Sequence, residues 1–186
     1  KARALMQKRY HVSFEDVAAM SVPVLRHRVL LNFHTESDKV TADAVLRKMA
    51  AAGTTLVPTV CAGELLFRDP AAIASMPPHL LTRMAEFNDI HIDAIHRAHQ
   101  LGVAIAMGTD AGTPGNHHGL NAEECVLLSL KAGLSPQESI RTATVSAARL
   151  LRQADHLGAL DEGKHADIIG MCENPLDDIT ALTRVA

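Results

Sequence analysis

The chain has 186 residues, 47% hydrophobic and 21% charged, with a formal net charge of −3, a globular composition with enough length for a core. Slight acidity and a 3% aromatic content without Trp exclude a basic nucleic-acid binder and a base-stacking platform, and no apolar run approaches the ~18 residues of a membrane helix. A complete (β/α)8 barrel takes about 250 residues, so the chain is too short to hold one.

Residues 1–49 read as helical. Ser13 caps a helix with Glu15 and Asp16 in its first turn, Pro23 opens a second with Val24, Leu25, Val29 and Leu30 on one side, and Thr41 starts a third through Met49. The pattern then changes. Thr54 to Val60 is β-branched and apolar between Gly53 and Gly63, a buried strand with Pro58 near its end. Residues 64–78, with Pro70, Pro77 and Pro78, read as a loop with at most a short helix. Residues 79–101 form a long helix stopped by Gly102, and Val103–Met107 is a second buried strand. A glycine-rich loop, Gly108 to Gly115, follows it. A helix from Asn121 to Ala132 ends at Gly133. Ser135 and Glu138 form a capping-box pattern around Pro136, Thr144 caps a further helix through Leu151, and the tail reads as short strands and a turn. Strand, helix, strand, loop and helix over 54–132 make a βαβα unit with parallel strands, whose functional end is the C-terminal end of the strands.

Asp110 lies at that end, after a wholly apolar strand and among small residues. Such a carboxylate serves either as metal ligand and base or as a turn former bonding its own loop amides. His117 and His118 follow; adjacent histidines diverge in regular structure, so at most one serves the site, and a solvated loop is the plain alternative. His91, His96 and His99 lie on the long helix, where His96 and His99 are i, i+3 neighbours able to share a metal, but no HExxH accompanies them and a half-exposed helix face accounts for them. Glu123 and Glu124 suit a helix start, and one of them has the option of facing the site. The Gly108–Gly115 loop lacks the GK[ST] ending of a phosphate loop. Cys61 has no identifiable partner base and reads as a small hydrophobe. Three scattered cysteines, Cys61, Cys125 and Cys172, form neither a disulfide framework nor a CxxC zinc site, and fit a reducing, cytoplasmic setting. The chain opens at Lys1 with no Met and no signal peptide, and reads as a piece of something longer.

Val57-Pro58-Thr59, Met107-Gly108-Thr109-Asp110-Ala111-Gly112, His118-Gly119, Ala132 to Pro136, and Ala143-Thr144 with Ala147-Ala148-Arg149 together resemble the C-terminal half of a metal-dependent amidohydrolase, of the imidazolonepropionase- and prolidase-like branch. Leu157 to Asp167 and Asn174-Pro175-Leu176 resemble the stretch returning to that family's small β-sandwich. The resemblance covers about residues 50–186. It implies an α/β fold, a partial (β/α)8 barrel in which the two strands are the seventh and eighth, with residues 50–155 as the barrel part and 156–186 as return strands and tail. It implies that Asp110 ligates a divalent metal, zinc in most members, and takes the proton of the attacking water, and that His118 lies near the substrate. It further implies that the family's HxH pair, bridging lysine and strand-five histidine would precede residue 1.

Residues 1–49 carry Val12 to Val17, Val24-Leu25-Arg26-His27-Arg28 and Leu31-Asn32-Phe33, which resemble the C-terminal lid of MoxR-type AAA+ ATPases. His34 is then a lid-helix residue; under the first resemblance it stands as the strand-six histidine. Two functions follow. The leading one is hydrolysis of C–N bonds other than ordinary peptide bonds, or of dipeptides, with a small amide or dipeptide-like substrate and neither nucleic acid nor membrane as partner. That activity follows only with the N-terminal half of the fold present, because one carboxylate cannot hold a catalytic zinc, and the chain alone is expected to be inactive. The alternative is a non-enzymatic helical interaction module derived from the ATPase lid. Two strands leave open edges, which favours association into an oligomer.

Overall fold

The computed structural model describes residues 41–185. Helix α1, Ala42–Ala51, starts where the sequence places it: Thr41 Oγ1 accepts from the Ala44 amide at 3.2 Å. It runs without a break through residues 49–50, where the expected segment boundary falls. Its buried Leu46 packs against Ala98 and Val103, with Met49, Leu56 and Leu101 around them, and Asp43 accepts from Arg97.

Strand β1, Thr55–Leu56, pairs in parallel with β2, Ala104–Ile105, with Thr55 opposite Ala104 and Leu56 opposite Ile105. Between them lie α2 (Val60–Glu64), a 3-10 turn (Leu66–Arg68), α3 (Pro70–Ala74) and the 23-residue α4 (Pro78–Gln100). Helix α5 (Ala122–Leu130) and α6 (Pro136–Arg141) follow the loop after β2. The main core joins Val60, Cys61 and Leu65 to Ile95, Ile105, Leu127, Leu128 and Leu134. These residues come from α2, α4, β2 and α5 and, for Leu65 and Leu134, from the connections after α2 and α5, so helices cover the strand pair as in an α/β fold.

The structure corrects four expectations, and the first two concern the strands: that expected over 103–107 is confined to Ala104–Ile105, the Met107 amide turning away to the Thr142 carbonyl. The strand expected over 54–60 is confined to two residues: Pro58 cannot donate to a ladder, and Val60 already opens α2. The helix expected from a Thr144 cap is a continuation of α6, which passes through a π-turn (Thr142–Ser146) into α7 (Ala147–Leu150). Thr144 Oγ1 donates back to the Ile140 carbonyl at 2.9 Å instead of capping. Lastly, residues 156–185 form turns and a 3-10 helix (Ile179–Thr183), with no strand among the described residues. Ile179 and Ala181 are buried, and that helix packs on α5. The Ser135 capping box is present: Ser135 Oγ accepts from the Glu138 amide, and Glu138 Oε2 accepts from the Ser135 amide at 2.8 Å.

Candidate functional site

The site is built on the loop that leaves the C-terminal end of β2. The Ala106 amide still donates to Leu56, at 3.0 Å, but the Met107 amide turns away to the Thr142 carbonyl of the π-turn, also at 3.0 Å. That releases Gly108 onward from the sheet. Gly108 is required by close approach, since a Cβ there would lie 2.5 Å from Val57 Cγ1.

Asp110 follows in the left-handed region, φ +52°, with its side chain exposed. Only Asn and Asp among non-glycine residues adopt this conformation readily, because their short polar side chains bond locally. The loop is held by Asn116, which is buried: its Nδ2 donates to the Thr109 carbonyl at 2.7 Å and the Asp110 carbonyl at 3.1 Å, and its carbonyl accepts from Gly112 at 2.8 Å. The far limb docks on the segment after β1, where a Cβ on Gly115 would meet the Leu65 carbonyl oxygen at 2.6 Å. Fixed at both limbs, the loop presents the Asp110 carboxylate to solvent. His118 is exposed, and its Nε2 lies 3.6 Å from where a Cβ on Gly112 would stand. His117 is exposed.

The other histidines are occupied elsewhere. His96 Nδ1 is 3.1 Å from the Ala132 carbonyl and its Nε2 is 2.8 Å from Gln100 Nε2, which fits a neutral ring donating through Nδ1. His99 faces Glu138 at 3.2 Å. They do not share a metal-binding geometry. His91 stacks on Phe87 in a groove beside α2, and burial lowers its pKa.

Glu124 is the residue whose role the sequence conceals. It is fully buried, and its two carboxyl oxygens accept from the Val60 amide at 3.0 Å and the Cys61 amide at 2.7 Å. Desolvation raises its pKa to about 7 against the opposing pull of those two bonds. Its neighbour Glu123 pairs with Arg68 at 2.9 Å. Neither acid bonds to Asp110; both fasten α5 to the segment after β1. No local pattern announces this, because the partners lie more than sixty positions away. Asn116 had a signal: an Asn in a glycine-rich turn is a common bonder of loop carbonyls.

Among the described residues no three His, Cys, Asp or Glu side chains come together to hold a metal ion. A catalytic zinc takes three protein ligands and water, so the described residues do not fit a complete centre. His34 lies outside the described residues.

Comparison with known proteins decides the family, since the amidohydrolase family profile matches residues 17–185. The chain belongs to the amidohydrolase family. Members of this family generally use divalent metals. The match takes in most of the lid-like segment, and the resemblance of residues 1–49 to an ATPase lid is not supported. An ochratoxinase of Aspergillus niger is 41% identical over 92 residues, 49% of this chain and 18% of that protein. An imidazolonepropionase of Brevibacillus brevis is 38% identical over 68 residues, 36% of this chain and 16% of that protein. Among solved structures, a Xaa-Pro dipeptidase with bound methionine in its active site is similar with a TM-score of 0.66 and 35% identity, over 75% of this chain and 34% of that one. The A. niger ochratoxinase structure is similar with a TM-score of 0.61 and 31% identity, over 75% and 30%. The chain thus spans about a third or less of each of these relatives.

Proposed function

We propose that this chain forms the last two strands of a partial (β/α)8 amidohydrolase barrel, and that Asp110 is the strand-eight carboxylate of a divalent metal centre, zinc by family preference. The complete centre hydrolyses C–N bonds of small amide or dipeptide-like substrates, with His118 at the substrate. The observation that carries this reading is the Asp110 loop itself: a solvent-facing carboxylate at the C-terminal end of a parallel strand, on a loop clamped at both limbs. His34 falls inside the family match and is the candidate strand-six histidine. Three free cysteines accord with a reducing, cytoplasmic setting.

The test is zinc uptake by the chain and by Asp110→Asn, measured by titration calorimetry beside a dipeptide and cyclic-amide hydrolysis assay. Asn keeps the left-handed backbone, so the substitution removes the charge without straining the loop. The expected result is weak zinc binding that Asp110→Asn weakens further, with hydrolysis at background. Zinc binding indifferent to Asp110→Asn overturns the assignment of Asp110, and turnover by the chain alone overturns its inactivity.

A further inference from the structure

The loop after β2 and the helix α5 that follows it are tied to the segment after β1 at three points, one on the loop and two on the helix. Gly115 lies against the Leu65 carbonyl, Glu123 pairs with Arg68 at 2.9 Å, and Glu124 bridges the amides of Val60 and Cys61 at 3.0 and 2.7 Å. The first is a close packing contact, and the second is half exposed and worth little. The third differs in kind. Glu124 is 0% exposed, and the two residues whose amides it accepts from, Val60 and Cys61, belong to the main core. An apolar residue at that position would avoid the desolvation cost of a carboxyl group. What the carboxyl adds is direction: two oxygens on one rigid group take two consecutive amides, fixing α5 relative to the start of α2 in orientation as well as distance. Helix α5 begins at Ala122, six residues after Asn116 across a turn in which the Leu120 amide donates to the His117 carbonyl at 3.3 Å, and Asn116 locks the two limbs of the Asp110 loop together.

We propose that Glu124 is a positioning residue for Asp110, a buried pin that registers the loop after β2 against the segment after β1. The proposal rests on Asp110 being the working carboxylate. Its mechanical content is independent of metal. Displacing the Glu124 pin lets the first turn of α5 shift, and the shift passes through Asn116 to the Thr109 and Asp110 carbonyls.

The experiment is backbone NMR with native-state hydrogen exchange on the chain, on Glu124→Gln and on Leu128→Ala, a core truncation in the same helix that touches neither loop amide. Gln replaces one acceptor by a donor facing an amide. Exchange at Val60 and Cys61 should rise about tenfold or more, exchange at Gly112 should rise by a similar factor, and the Thr109–Gly112 resonances should move. Leu128→Ala should leave the pattern at 109–112 in place. Glu124→Gln altering Val60 and Cys61 while 109–112 stays unchanged overturns the proposal. Should Glu124→Gln fail to fold, the native chain supplies the answer: Val60, Cys61 and Gly112 should open with one common free energy, and separate openings overturn the pin. Coupled openings together with zinc binding indifferent to Asp110→Asn would leave the pin standing and remove the metal reading.

Discussion

Burial lifts the Glu124 carboxyl from an ordinary 4.5 to about 7, although both backbone amides favour its ionised form. The fold therefore holds a proton that the unfolded chain has already released. The stabilising effect is complete below pH 4.5 and disappears as pH rises through 7, a change of order 3 kcal/mol. His91 acts oppositely, since its lowered pKa favours the neutral ring and costs stability as pH falls below 6.5. Comparison with Glu124→Gln separates the two. In urea unfolding from pH 4.5 to 8, the stability of the native chain should fall relative to that of Glu124→Gln as pH rises, and parallel curves would show that Glu124 does not titrate there. Glu138 belongs to another window. Its bonds from Ser135 hold it near 2, so its stabilising effect fades only in strong acid, below 4.5. Burial also governs the thiols. It raises Cys61, with Glu124 adding to the effect, and lifts Cys125 to about 11, while Cys172 is exposed. Brief iodoacetamide treatment of the native protein, read by peptide mass spectrometry, should label Cys172 and spare the other two.

Helix ends were the most legible elements, because their chemistry is local. Thr41, Gly102, Gly133 and the Ser135 box each end or begin a helix within a residue or two of the expected place. The two glycines differ in their surroundings. Gly102 has φ +75° and open space around it, whereas a Cβ on Gly133, φ +79°, would lie 2.6 Å from His96 Nδ1. Gly102→Ala should cost about 1 kcal/mol from the left-handed backbone alone. Gly133→Ala should cost at least about 1 kcal/mol more, because it also drives His96 from the Ala132 carbonyl. Equal losses in chemical denaturation would show that His96 yields freely. Strand ends were less legible, since long-range partners set them. Val60 is β-branched, yet it starts a helix whose first amides find acceptors on Glu124. The π-turn at Thr142 is equally hidden, its freed carbonyl being taken by Met107 across the fold. The Asp110 loop showed itself through its glycines and its place after an apolar strand. The Asn116 clamp and the Glu124 pin depend on contacts that periodicity does not record.

At the scale of the whole chain, part of the exposed apolar surface lies on the tail. Leu160, Ile168, Ile169 and Leu176 are 79, 64, 61 and 52% exposed, all within the segment that forms no strand among the described residues. Extended backbone without a ladder partner leaves amides and carbonyls open to another chain, and β1 and β2 pair only with each other among the described residues. A run of exposed apolar side chains beside open backbone is the usual setting for association. Sedimentation velocity should therefore show a mass that rises with concentration above the 19.9 kDa of one chain. Replacing both Ile168 and Ile169 by Ser should return the chain towards the single-chain mass. Leu130 supplies the control: it is 67% exposed but sits on α5, where the helix satisfies its own backbone, so Leu130→Ser should leave association unchanged. A concentration-independent mass of one chain would show that the tail is content in water. Association abolished equally by Leu130→Ser would place the contact on the helical face instead, and the open backbone of the tail would then have no part in it.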